Sequence, residues 1–128
     1  MSNFEHFLLP KSLIEANGSG AVYELGAAQG GAIQLTLEIL KTVEQQSLEV
    51  RLEGSTDGAT WPERPLTAFP QKFYAGASVI VCNLAAHPDV RFIRASWKAN
   101  RWGRGSLKPH FEVYLFAESI ASLALDSK

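Results

Sequence analysis

The chain has 128 residues, of which 46% are hydrophobic and 20% charged, with a formal net charge of −1 at pH 7. That length suits one domain, 1–128, able to bury roughly two-thirds of its unfolded surface with no disulfide or metal staple. The balanced charge gives no electrostatic pull toward nucleic acid or an anionic membrane, and no run approaches the roughly 18 apolar residues of a membrane helix.

In chain order, weak strands are expected at 4–9, 13–16 and 21–25. Asn17-Gly18-Ser19-Gly20 between the last two reads as a hairpin turn. The small residues at 26–31 read as a loop. Ile33, Leu35, Leu37 and Ile39 alternate with Gln34, Thr36 and Glu38, the period of a strand with one wet face. Leu48, Val50 and Leu52 alternate in the same way with Glu49, Arg51 and Glu53. Ser55-Thr56-Asp57-Gly58 reads as a turn, with Asp57 bonding its own backbone and Gly58 free to take a positive φ. Pro62, Pro65 and Pro70 keep the next segment out of any central strand.

Val79, Ile80, Val81 and Cys82 are apolar on both parities, so 78–84 is expected to be a central strand covered on both faces. In 90–99 the parity slips between Phe92 and Ile93, and a bulge there would bring Val90 and Phe92 to the core along with Ile93, Ala95 and Trp97. Residues 100–109 read as a long loop. Phe111, Val113 and Leu115 share one face of a last strand over 110–117, and 118–125 is either a short helix or the end of that strand. The expected core is Leu35, Leu37, Ile39, Leu48, Val50, Leu52, Val79, Val81, Phe92, Ile93, Trp97, Phe111, Val113 and Leu115. Short strands with turns about every ten residues make an all-β, antiparallel, jelly-roll-like sandwich.

No nucleophile elbow, phosphate loop, His-Glu-x-x-His or dinucleotide fingerprint is present, so the sequence names neither catalytic residues nor a cofactor. His110 and Glu112 share a strand face but lack further metal ligands, so no metal site is assigned. Glu38, Glu49 and Glu53 lie on polar strand faces; two of them close together in a cleft would suit a glycosidase. Cys82 is the lone cysteine and reads as an inert core thiol. With no disulfide to make and no signal-like segment in 1–10, the default location is cytoplasmic, or virion-associated within an assembly.

The densest aromatic and cationic stretch is 94–105. There Trp102, flanked by Arg101 and Arg104 in the loop, either stacks on a sugar ring beside an anionic group or closes one end of the sandwich. It could also anchor a protein interface. Trp61, Tyr74 and Phe69 are the other aromatics available for a ligand surface.

The run Leu-Glu-Gly-Ser-Thr-Asp-Gly-Ala-Thr-Trp at 52–61 resembles the strand and Ser-x-Asp-Gly-x-x-Trp stretch of discoidin-like (F5/8 type C-like) jelly rolls and of related carbohydrate-binding or phage-structural sandwiches. The later Pro88-Asp89-Val90-Arg91-Phe92-Ile93-Arg94-Ala95-Ser96-Trp97 is similar to an aromatic-aliphatic-Arg strand of the same sandwiches. The resemblance spans 33–97 and implies a β-sandwich of galactose-binding-like shape, with Trp61 packed over the Asp-Gly turn. The terminal cysteine pair of extracellular discoidin domains is absent.

Three functions fit these residues. The first is a non-catalytic structural or protein-interaction module, partnered by itself or by other proteins. The second is a carbohydrate- or small-ligand-binding module using Trp102, Arg101, Arg104, Trp61 and Tyr74. The third is a hydrolase built on a carboxylate pair.

Overall fold

The computed structural model describes residues 4–43, 45–103 and 108–120. Alternating patterns become long strands: β1 (Glu5–Ile14), β4 (Ala32–Lys41), β5 (Gln46–Ser55), β7 (Gly76–Asn83), β8 (Phe92–Arg101) and β9 (Phe111–Ile120). Three two-residue strands complete the set: β2 (Gly18–Ser19), β3 (Tyr23–Glu24) and β6 (Thr67–Ala68). One sheet has the order β1-β9-β4-β7; the other runs β2-β8-β5-β6, with β3 also on β8. All the pairings are antiparallel. The chain passes from one sheet to the other and back as it proceeds, the winding of a jelly roll.

The two inner faces make one core. From β4 come Ile33, Leu35, Leu37 and Ile39, from β5 Leu48, Val50 and Leu52, from β8 Ile93 and Ala95, and from β9 Phe111, Val113, Leu115 and Ala117, all buried. Each large aliphatic or aromatic side chain so buried contributes about 1.5–3 kcal/mol.

The structure corrects the sequence reading at four places. Among the described residues β7 is an edge strand paired with β4 alone; Ile80 and Cys82 face inward, opposite Leu35 and Ile33, while Val79 and Val81 point outward, 55% and 40% exposed. Apolar residues on both parities reported β-propensity there, not coverage of both faces. β8 pairs with β5 from Gln46↔Arg101 to Ser55↔Phe92 without a shift, so no bulge forms. Phe92 therefore stays on the outer parity, half-buried, and Trp97 is only partly buried against the core.

The segments expected at 4–9 and 13–16 are one strand. Register shifts in β1 lie between Phe7 and Leu9 and between Leu9 and Ser12, around Pro10, and turn Leu8 and Leu9 both inward. Asn17-Gly18-Ser19-Gly20 is not a hairpin. It carries the chain into the second sheet, where Gly18 pairs with Trp97 and Asn17 Oδ1 accepts the Ala99 N–H at 2.8 Å. A Cβ on Gly18 would sit 3.2 Å from the Trp97 indole, tighter than ordinary contact, so a larger residue there would have to displace the ring by a few tenths of an ångström. At the C-terminus β9 continues through Ile120; the rest of the 118–125 expectation lies outside the described residues.

Candidate functional site

The expected turn after β5 forms as its side chains dictate. The Asp57 carboxylate accepts the N–H groups of Thr60 and Ala59 at 2.7 and 2.8 Å. The Ser55 hydroxyl accepts those of Asp57 and Gly58, and reaches the Thr60 carbonyl at 2.6 Å. Gly58 has φ +77°, the conformation this turn needs. The Thr60 N–H, then those of Ala59 and the Ser55 side chain, stabilise the charged carboxylate and lower the Asp57 pKa to about 2. The ring over this turn is Phe92, lying against Gly58, whereas Trp61 lies under the Arg94 guanidinium, 4.2 Å from it. Arg94 Nε in turn donates to Glu53 at 2.7 Å, with Arg51 on the other carboxylate oxygen at 3.8 Å. Trp61 is thus a structural lid on an ion-paired cluster.

Trp102 and Tyr74 do come together, 45% and 81% exposed, at one end of the sandwich. The Trp102 N–H donates to the Gln45 carbonyl at 2.8 Å, which ties the segment after β8 to the turn after β4. Phe73 stands between the two, edge-on to Trp102 at 6.5 Å and tilted against Tyr74 at 6.4 Å. These rings, with Thr42, Val43, Gln45 and Gln46, line an open cleft of about 530 Å³. Its floor is fixed: Gln46 is buried, its amide oxygen accepts the His110 N–H at 2.7 Å, and its amide nitrogen donates to the His110 carbonyl and to Thr42 Oγ1, each at 2.6 Å. Trp102 is half-exposed beside Phe73 at the mouth of this cleft. Phe73 carried no periodicity to reveal it; only its position beside Tyr74, just past Pro70, could have done so.

Arg101 ends β8 and donates to the Lys108 carbonyl at 3.3 Å, outside the cleft lining, and Arg104 lies outside the described residues. Phe69 is buried core. The described lining residues offer ring faces and amides, with no carboxylate, histidine or cation among them.

The carboxylates do not converge either. Glu38 lies on the outer parity of one sheet and Glu49 and Glu53 on that of the other. Four residues along one strand put Glu49 and Glu53 about 13 Å apart, beyond a glycosidase pair. Among the described residues no group of three or more His, Cys, Asp or Glu is placed to hold a metal ion, and no helix is long and apolar enough to cross a membrane. Burial raises the pKa of Cys82.

The most unusual surface is the outer face of the β1-β9-β4-β7 sheet. Phe7, Phe116, Thr36 and Val79 stand in one row across all four strands. Phe7 packs on Phe116 at 4.9 Å and on Tyr114 at 5.6 Å, yet is 45% exposed, and Val81 flanks the row. Alternation should have made this face polar, and Gln34, Glu38 and Glu118 do interrupt it.

No protein-family model matches the chain, and no curated protein does. Among solved structures it is similar to the SPBc2 prophage-derived protein YomS, with 5% identity, a TM-score of 0.57 and 94% of each chain covered. It is also similar to a chain in the structure of the infectious bursal disease virus Gx strain, with 9% identity and a TM-score of 0.55, over 91% of this chain but only 32% of that one. At these identities the likeness is one of fold: this chain is an all-β sandwich of the kind seen in a prophage-derived protein and in a virus.

Proposed function

We propose that this protein is a non-catalytic structural module that assembles with itself or with other proteins, as a subunit of a virion-like or other multi-protein assembly. The observation that carries the reading is the outward row Phe7–Phe116–Thr36–Val79, two phenylalanines and a valine joined across a threonine on a sheet face that water would otherwise cover. Surfaces of that kind mark interaction sites. The sources of the two similar structures, a prophage-derived protein and a virus, support the same reading. So does the use of jelly rolls in capsids. The discoidin-like resemblance of 52–61 belongs to this proposal as a likeness of fold, because its Asp-Gly turn and its Trp61 are both occupied by local structure.

The test is the solution mass by light scattering over a range of concentration and salt, with binding of an apolar dye measured alongside. An oligomer whose dye binding falls as it forms supports the reading. A monomer at every concentration, with no dye-binding patch, overturns it.

A second reading rests on the cleft. Tyr74, Phe73 and Trp102 present ring faces around a fixed Gln46, the furniture of a carbohydrate site. A glycan screen on wild type and Trp102→Ala tests it: a hit lost in the variant supports the site, and no hit with the wild type removes it.

A further inference from the structure

The four-stranded sheet has two edges, and they are built differently. β1 is interrupted by two register shifts and carries Glu5, Pro10 and Lys11, the devices that keep an edge from pairing with foreign strands. The other sheet ends in two-residue strands, too short to template anything. β7 has none of these protections. It runs Gly-Ala-Ser-Val-Ile-Val-Cys-Asn with no charge and no proline, and it holds β4 in unbroken register from Ala32↔Asn83 to Ile39↔Gly76. Its far side pairs with no strand among the described residues. Its composition is that of a strand flanked on both sides, while its position in the monomer is that of an edge.

We propose that β7 is completed by β7 of a second copy of this chain, antiparallel across a two-fold axis, joining the two four-stranded sheets edge to edge. The inference rests on the assembly reading above and names its partner and its surface. One observation and two consequences of the pairing select a second copy. The strand is uncharged throughout, so its own copy brings no like-charge pair against it. An antiparallel two-fold pairing that keeps the two outer faces aligned sets Val79 opposite the partner's Val79 or the partner's Val81, a β-branched pair in either register. The outer apolar row then no longer stops at the exposed Val79 but runs on into the partner's sheet. A single pair of eight-residue strands buries little area, so the dimer is reversible and depends on concentration.

The experiment uses the full chain. Sedimentation velocity over a dilution series should show a monomer–dimer equilibrium. The double variant Val79→Lys/Val81→Lys changes two exposed outward side chains and should stay monomeric at concentrations where wild type is dimeric, with its thermal midpoint kept. Spin labels then locate the contact, placed on cysteines at 79 or at 7 in a Cys82→Ala background. Position 79 should lie within about 15 Å of the partner's label, given strands about 4.8 Å apart. Position 7 lies in the same row, seven strand spacings from its mate, and should give about 30 Å or more. A dimer that survives the lysines and brings the labels at 7 within about 20 Å has stacked its sheets face to face. That result overturns edge pairing and leaves the assembly reading standing. A monomer at every concentration overturns edge pairing, and if no apolar dye binds either, the assembly reading falls with it.

Discussion

The two outer faces of the sandwich use the same strand alternation to opposite ends. On the β8-β5 face one cluster is paired within the chain: Glu53 is held between Arg94 and Arg51, Arg94 is capped by Trp61, and the 55–60 turn bonds its own backbone, while Arg51 Nε and Ser96 Oγ are buried with no hydrogen-bond partner among the described residues. On the β1-β9-β4-β7 face Phe7 packs on Phe116 and Tyr114 yet stays 45% exposed, Val79 and Val81 point outward half-exposed, and the row ends at an edge that pairs with no strand among the described residues. The Glu53 cluster of the first face is occupied within the chain, while the apolar row of the second is costly to leave in water. Stability should therefore respond to substitutions on the first face, and association to substitutions on the second.

The largest expected effect is on the paired cluster. Glu53→Gln leaves Arg94 and Arg51 facing each other without their carboxylate, and should cost about 1–3 kcal/mol in urea denaturation, with Arg94 still in partial contact with water. A loss below a few tenths of a kcal/mol would show that the cluster is no more than solvated surface. Trp61→Leu should cost about 1 kcal/mol by the same measurement, since it keeps some apolar cover but removes the ring under the guanidinium.

Acid should act on the same face. The Asp57 pKa, lowered to about 2 by the Thr60 and Ala59 N–H groups, lies below that of the unfolded chain, so the turn's contribution is present above about pH 4 and is lost as pH falls toward 2. In thermal melts between pH 4 and 2, wild type should lose more of its midpoint than Asp57→Asn. Equal slopes would place the acid sensitivity elsewhere. The smallest stability effect is expected on the apolar face. Phe7→Gln should change the unfolding free energy by about 1 kcal/mol or less while reducing apolar dye binding by the free protein. A large stability loss there would mean that Phe7 belongs to the core.

The candidate cleft shows where reading from sequence reaches its limit. Trp102 is legible as a loop aromatic, either exposed or packed, and Tyr74 as an available ring, but nothing in the sequence says that the segment after β8 is tied by the Trp102 backbone N–H to the turn after β4, which brings them together. Trp61 was equally prominent in sequence and turned out to serve Arg94 instead.

Local chemistry determined β4, β5 and β9 and their inner faces. Ile33 to Ile39 and Leu48 to Leu52 could not alternate as they do in any other conformation, and Ser55-Thr56-Asp57-Gly58 carries every donor, acceptor and φ preference its turn uses. Tertiary structure alone decided which strands became edges. Strand order is set by how two sheets of this length close over a common core, and a strand's alternation by itself does not report its place in that order. That is why the run from Val79 to Cys82 reads as a central strand yet lies at the rim of the sheet. The same reason left the apolar row unseen: Phe7, Phe116, Thr36 and Val79 come from four distant segments, and only antiparallel register sets them side by side.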